Sequence, residues 1–441
     1  MNKIRNFFSS NEGFKRYFKN AAWLSLEKLL RVVEAFFIGL WIARYLGPEE
    51  FGILTFGHSF VFLFTAIATL GLDQIVVKEL VKNEKDRDEI LGTTFGLRLI
   101  GFIIMTGLIY ISLQFFNNDV QTNKIVWVIA ASVLFQSLNG IDFYFQSKVQ
   151  SKYIVYINIC MVLISGTIKV ILIVTNAPLI SFAYVFIVET LITAIGFFFV
   201  YNMKKLSIWK WKFTLQKAKL LLSRSWFLII GTIATAIYMK IDQVMIKEMI
   251  GDRAVGLYGA AVKMCSIWLF ITVVITQSVF PSLVAAKKKS QQLFLERLQL
   301  LYNVLIKIAL LGSILYTVFA EPLTLLLFGT PYEESTTVVI IYIWSIVFVY
   351  LSNGSWGYYL NENLEKFSSI RLVIGALINV GLNIYFIQWF GLPGAAYATL
   401  ISYSISGYFV NAFFAKTRPN FYLQTRAIVN FFNLKTWLHP L

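Results

Sequence analysis

The 441-residue chain is 58% hydrophobic and 14% charged, whereas soluble domains carry roughly a quarter charged residues, so lipid is its main solvent. Its net charge of +16 would suit a nucleic-acid binder only if the basic residues were gathered into one footprint, and they are not. The two cysteines, Cys160 and Cys265, both lie in apolar runs and suggest neither a disulfide framework nor a metal site.

Repeated apolar runs of about 20 residues, each able to cross a hydrocarbon core of roughly 30 Å, predict an all-α polytopic membrane protein. A spanning β-barrel would instead show alternating segments of about 10 residues. At the N-terminus, residues 1–20 mix Lys3, Arg5, Lys15, Arg16 and Lys19 with Phe7, Phe8, Phe14, Tyr17 and Phe18. They lack an apolar core followed by a small-residue cleavage site, so they are expected to lie at the interface rather than be removed.

Transmembrane helices 1–6 are expected near 21–43, 51–72, 93–116, 124–145, 153–175 and 178–201, forming an N-lobe over 21–201. Residues 202–225 alternate Lys210, Lys212, Lys217, Lys219 and Arg224 with Trp209, Trp211, Phe213, Leu215 and Leu220, the pattern of an amphipathic connector on the membrane surface. Helices 7–12 follow near 226–249, 256–280, 301–328, 334–356, 369–390 and 393–415, a C-lobe over 226–415. The tail, 416–441, has Phe421, Phe431, Phe432 and Trp437 among basic residues and reads like the connector.

The basic residues orient this chain. With both termini inside, 28 of the 39 Lys and Arg residues fall in inner segments, and four (Arg44, Lys124, Lys247, Arg253) fall in outer ones. That bias predicts a cytoplasmic-membrane protein with N- and C-termini in the cytoplasm, and it accounts for the basic charge without nucleic acid.

The two halves echo one another. Leu46 through Ile53 aligns without gaps on Ile250 through Leu257, with glycines five residues apart (Gly47 and Gly52, Gly251 and Gly256) closing a tight outer turn. Pro178 through Ala183 similarly echoes Pro393 through Ala398. Six helices per half is an even number, so the expected repeat is parallel, with a central cavity between two six-helix lobes.

Ionisable residues inside the spans cost about 2.5–3.5 kcal/mol each at the bilayer centre, so they are expected to face one another or a wet interior. Glu27, Arg31 and Glu34 share a face at i, i+4, i+7, with Lys28 beside them. Polar stripes run through His58, Thr65 and Thr69; through Asn158, Ser165 and Lys169; and through Gln136, Asn139 and Asp142. Ser266 follows Lys263, and Asn379 lies one turn from Asn383. The Ser, Thr and Asn stripes suit interhelical hydrogen bonds ahead of a cavity lining, whereas Arg31, Arg98 and Lys169 suit a cavity lining, because such hydrogen bonds need no full charge. Seven basic against five acidic residues within the spans would leave positive charge for an anionic substrate such as a diphosphate. The candidate substrate contacts are Arg31, Arg98, Lys169, Lys240 and Lys263, and the candidates for proton or sodium coupling are Glu34, Asp142 and Asp242. Tyr342, Trp344, Tyr350, Trp356 and Tyr358 in helix 10 could stack on sugars or form an interfacial belt. No G-x-S-x-G, H-E-x-x-H or Walker-type motif occurs, and the outer connections are short, so neither an enzyme nor a cofactor is expected.

Several segments together carry a resemblance: Ala43 through Gly52, Phe143-Tyr144-Phe145-Gln146, Asp242 through Ile246 running into Gly251, and Phe328 through Ser335. Asn379 through Asn383, followed by Gly391 through Ala396, completes the set. They resemble the Wzx-type O-antigen and capsule flippases, the polysaccharide-transporter branch of the multidrug/oligosaccharidyl-lipid/polysaccharide exporter superfamily. The resemblance covers about residues 15–415. It implies two six-helix lobes around a cationic cavity and translocation of an undecaprenyl-diphosphate-linked oligosaccharide, with a polysaccharide polymerase and a chain-length regulator as expected partners. The rival readings are an ion-coupled drug or metabolite exporter of the same superfamily, a membrane glycan polymerase or ligase, and a passive scramblase.

Overall fold

The computed structural model describes residues 12–116 and 118–433, mostly helical with short turns and irregular connections. Among them, ten segments are long and apolar enough to cross a membrane, which establishes a multi-pass membrane protein. Twelve crossings were expected. The first segment, Trp23–Lys82, contains two expected crossings, and the expected twelfth is interrupted by a π-helical turn at Ile405–Phe409.

The chain divides into two compact units. The first contains the chain up to Ile42 and Gly57–Ile233, and the second contains Ala43–Phe56 and Ala234–Leu441. This division falls differently from the expected lobe boundaries. Residues 43–56, placed by hydropathy in the N-lobe, belong to the second unit, and the connector 202–225 belongs to the first.

The first unit is built from α1 (Glu12–Thr69), α2 (Asp73–Lys82), α3 (Arg87–Leu113), α4 (Val120–Ser132), α5 (Gly140–Ser147), α6 (Lys152–Val174), α7 (Leu179–Met203) and the start of α8 (Leu215–Met249). A 3-10 stretch, Val133–Asn139, joins α4 to α5. Helix α1 breaks at Gly47 (φ 72, ψ 171), a conformation that glycine adopts without a Cβ penalty, and Pro48 restarts the helix. Its residues 12–20 are helical and continuous with the first apolar segment, while residues 1–11 lie outside the described residues.

The connector is not one amphipathic helix. After Lys205 (φ 58) comes a short 3-10 turn, Ile208–Lys210, then extended chain to Thr214. This strap is tied to α3, since Lys212 N donates to Asp88 O at 3.1 Å and Thr214 N to Thr93 Oγ1 at 3.1 Å. Gly92 makes room for it, because a Cβ there would meet the Lys212 backbone. Ala218 and Leu221 then join Leu72, Val76, Ile90, Phe143, Phe145 and Tyr201 in the apolar core of the unit. Lys217 pairs with Asp86 at 2.6 Å and Arg224 with the buried Glu79, so these two basic residues are engaged within the protein, while Lys210, Lys212, Lys219 and the apolar Trp209, Phe213 and Leu215 stay exposed.

The second unit contains the end of α8, α9 (Asp252–Lys289), α10 (Gln291–Val318), α11 (Ala320–Phe328), α12 (Ser335–Asn361), α13 (Glu365–Phe390), α14 (Leu392–Ser404), α15 (Val410–Phe413) and α16 (Arg418–Phe432). The repeat is visible in the backbone. Gly251 (φ 124, ψ −179) matches Gly47 in its positive φ and extended ψ. Asn176 and Gly391 are both left-handed two residues before the prolines that open α7 and α14.

The tail helix α16 departs from its expected amphipathic reading in which side faces inward. Asn420 and Gln424 are buried, whereas Tyr422, Val429 and Phe432 are exposed. Asn420 accepts from Tyr302 OH at 2.6 Å, and Gln424 Nε2 donates to Ser355 Oγ at 2.9 Å and Gly407 O at 3.1 Å. A polar key therefore docks this helix onto α10 and α12 beside the buried Ala427, with Tyr422, Val429 and Phe432 on the exposed side. Trp437 lies outside the described residues.

Candidate functional site

Each candidate cation of the first unit is matched by a carboxylate. On α1, Arg31 donates through Nη2 and Nε to Glu27 Oε1 at 2.6 and 3.0 Å. The Glu27 side chain is 7% exposed and that of Arg31 48%, so the acid is internal and the guanidinium reaches outward. Arg98, on α3, is buried. It pairs with Asp73 at the start of α2, donates to Gln136 O at 2.8 Å, and lies 5.0 Å over the Phe143 ring. The Gln136 carbonyl belongs to the 3-10 stretch, where the tighter winding weakens the regular ladder and leaves an acceptor for an outside donor. Gly101, one turn beyond Arg98, has no space for a Cβ against the Ile67 and Ala68 carbonyls, which fixes how closely α3 lies on the end of α1.

Lys169, on α6, bridges two acids: its Nζ is 2.9 Å from Glu34 Oε1 on α1 and 2.7 Å from Glu189 Oε1 on α7. Gly166 lets α6 close onto α1 beside Glu34, since a Cβ there would meet Ile38 Cδ1 at 2.9 Å. Asp142 accepts from Gln146 Nε2 at 2.9 Å and lies within electrostatic reach of Asp73, Glu27 and Arg98. Among these residues of the first unit, the acids Glu27, Glu34, Asp73, Asp142 and Glu189 thus stand against the bases Lys28, Arg31, Arg98 and Lys169. The expected positive surplus does not reside there.

It resides in the second unit, where Lys240, Lys263 and Lys307 stand against Asp242. Lys240, on α8, makes no ion pair or hydrogen bond to another described residue, and Asp242 is its electrostatic neighbour. Lys263, on α9, lies 5.8 Å over the Phe51 ring. Asp242 is buried and accepts three hydrogen bonds, from Tyr258 OH at 2.8 Å, Thr399 Oγ1 at 2.6 Å and Asn383 Nδ2 at 2.7 Å. Asn383 also donates to Asn379 Oδ1 at 3.2 Å, while its own Oδ1 is buried without a partner. The expected Asn379–Asn383 seam therefore continues onto a carboxylate.

The remaining polar stripes are mostly self-contained. Thr65, Thr69, Ser165 and Ser266 all donate to carbonyls of their own helices, and His58 stacks on Phe186 at 5.3 Å. The helix-10 aromatics divide. Tyr342, Tyr350 and Tyr358 are buried, with Tyr350 and Tyr358 donating to the Trp268 and Lys416 carbonyls, while Trp344 donates to Thr317. Trp356 is 48% exposed.

Hydropathy hid two residues of this network. Asp73 lies just beyond the expected end of its span, but its place at the start of a helix after Gly71 marks it as an acid tied into structure. Arg371, assigned by sequence to an inner connection, lies inside α13, 6% exposed, donating to Ser352 Oγ at 2.6 Å and stacked 5.3 Å over Tyr359.

Comparison with known proteins adds the family and the fold. Residues 17–287 match a family model described as polysaccharide biosynthesis protein. No curated protein matches the chain. Among solved structures, the lipid II flippase MurJ in an inward closed conformation is similar with a TM-score of 0.71 at 13% identity, over 95% of this chain and 93% of that one. An inward-facing multidrug resistance MATE family transporter of the MOP superfamily gives 0.70 at 12% identity, over 93% and 98%. A MOP superfamily transporter from Pyrococcus furiosus, described as having a binding pocket of reverse polarity, gives 0.54 at 12% identity, over 94% of each chain.

Proposed function

The chain belongs to the polysaccharide biosynthesis protein family, and from that premise we propose that it is a flippase moving an undecaprenyl-diphosphate-linked oligosaccharide across the cytoplasmic membrane by alternating access, for O-antigen, capsule or a related polymer. In this reading both termini are cytoplasmic, and the product is handed to a polysaccharide polymerase and a chain-length regulator. The carrying observation is the family match on a transporter fold whose apolar helices retain ionised side chains. Residues of that cost persist in a membrane where they handle a charged or polar passenger.

The candidate diphosphate contacts are Arg31, half exposed, in the first unit, and Lys240 and Lys263 in the second, each taken by itself. Arg98 and Lys169 reach a diphosphate only by exchanging Asp73, or Glu34 and Glu189, for phosphate oxygens, a swap of one charge-assisted contact for another. Loss of the gene is expected to abolish the surface glycan and to leave drug sensitivity unchanged. Purified protein in vesicles is expected to move the lipid-linked substrate without chemical change. A normal glycan with altered drug sensitivity would instead establish a drug exporter, and new glycosidic bonds in vitro would establish a polymerase or ligase. Arg31→Gln and Lys240→Gln are each expected to cut export severalfold at unchanged protein level. Wild-type glycan display in the double variant would overturn the cationic contact.

Coupling is assigned to Asp242, ahead of Asp142 and Glu34, because its carboxyl is buried among donors that can release it to a proton or a small cation. Asp242→Asn is expected to remove the dependence of flipping on an imposed proton or sodium gradient while the protein still folds. Asp242→Ala is expected to lower thermal stability as well, because three buried donors lose their acceptor at about 1–3 kcal/mol each. Gradient dependence persisting in Asp242→Asn would move the coupling to Asp142 or Glu34, and gradient insensitivity of the wild type would indicate a scramblase.

A further inference from the structure

A cavity of about 340 Å³ opens within the second unit between α9, α10 and α12. Its polar lining consists of Thr276, Gln277 and Asn353, and its aromatic lining of Phe280 and Trp356. No charged residue lines it. We propose that this cleft is a carbohydrate subsite that holds one neutral sugar ring of the passenger, with the ring's C–H face on Trp356 and its hydroxyls on the amides of Gln277 and Asn353. The inference rests on the flippase reading and names how the sugar portion is held.

Four observations converge on this class of ligand. The volume is near the low end of small-molecule sites, which run from about 300 to 1,000 Å³, so it takes a single ring rather than a whole oligosaccharide. The absence of charge in the lining disfavours a phosphate or a cationic drug and suits an uncharged polyol. Side-chain amides present a donor and an acceptor together, matching adjacent hydroxyls. Neither the Gln277 nor the Asn353 side chain is hydrogen-bonded to another described residue, whereas Gln299, Gln424, Asn420 and Asn411 in the same unit are all engaged.

Trp356 stands apart in the same way. Its helical neighbours Tyr358 and Tyr359 are buried and hydrogen-bonded to the Lys416 carbonyl and to Asn411, while Trp356 keeps 48% of its surface exposed and makes no hydrogen bond to a described residue. An indole with an open face is the side chain best suited to the apolar face of a sugar. Its position is set from behind: a Cβ at Gly354 would strike Tyr302 and one at Gly357 would strike Leu283, so α12 is seated tightly and presents Trp356 along the cleft.

The test uses the full chain in lipid nanodiscs, free of sugar-headed detergent, with methyl glycosides of glucose, galactose, mannose, rhamnose, N-acetylglucosamine and N-acetylgalactosamine as probes in saturation-transfer NMR. At least one glycoside is expected to receive saturation above empty nanodiscs, with Trp356→Leu weakening its binding about tenfold. Asn353→Leu and Gln277→Leu are expected to weaken it severalfold, and Trp356→Phe to retain most of it. No signal from any glycoside, or equal signals from wild type and the leucine variants, would overturn the subsite. So would labelling of position 356 by a photoreactive phospholipid acyl chain that excess glycoside does not reduce. The two readings fail separately. Normal glycan export in Trp356→Leu alongside loss in the Arg31 and Lys240 double variant discards the subsite and keeps the flippase. Glycoside binding that depends on Trp356, in a protein whose loss leaves the glycan intact, does the reverse.

Discussion

Alanine at Gly256 is expected to lower the thermal stability of the folded chain by roughly 3 kcal/mol, and valine there to keep it from accumulating in the membrane. A Cβ on Gly256 would overlap the carbonyl oxygen of Pro48, and a Cβ on Gly52 would overlap that of Asp252. The relation is reciprocal: Gly52 and Gly256 are equivalent positions of the internal repeat, and so are Pro48 and Asp252. Two copies of one hairpin turn thus meet within the second unit, each glycine seated on the first turn of the other copy. The obstacle is backbone on both sides, so no rotamer change relieves it. Gly259, one turn on, faces Thr55 and continues the small-residue seam by which helices approach closely in lipid. Tyr332 OH donates to Ala43 O at 2.7 Å, a second tie between residues 43–56 and this unit. The controls are Gly107→Ala and Gly381→Ala, helical glycines with nothing within 4 Å of a Cβ, where alanine is expected to be neutral or slightly stabilising. Melting curves from size-exclusion fluorescence of all four variants decide the matter. If Gly52→Ala and Gly256→Ala melt with the controls, the glycines are turn residues and nothing more.

That contact also marks how far sequence carries in this protein. The repeat and the two glycine turns were legible because glycine and proline act locally, through φ and the missing donor. The all-α membrane class was legible because hydrophobic length is a one-dimensional property. What lay beyond reach depended on which residues meet. The reciprocal glycines placed Ala43–Phe56 in the second unit, although hydropathy can only assign a helix to its neighbours in sequence. The connector's basic and aromatic alternation announced an interface without saying which one, and Lys217 and Arg224 found acids of their own unit instead of lipid phosphates. In α16 the polar Asn420 and Gln424 are buried together with Ala427, a docking that an amphipathic pattern cannot reveal by itself. Counting the candidate cations by sign over the whole chain missed that Asp73 neutralises Arg98 and that Lys169 serves two carboxylates.

Lys169→Met is expected to destabilise the chain by about 3–5 kcal/mol, because it strips the shared cation from Glu34 and Glu189 and leaves two carboxylates facing each other in a membrane interior. The three side chains are between 13% and 23% exposed, which is enough shelter for the repulsion to be felt with little screening by water. The triple variant Lys169→Met, Glu34→Gln, Glu189→Gln removes all three charges at once and is expected to recover most of the lost stability, since amides can hydrogen-bond to one another without a cation. The pair of variants separates two roles that a single substitution confounds. If Lys169 only balances its acids, export should return with stability in the triple variant. If Lys169 leaves its acids to take a phosphate during the cycle, stability should return while export stays low. A single variant as stable as wild type would show that the two glutamates shed their charge once the lysine is gone, and that the bridge contributes little to holding α1, α6 and α7 together.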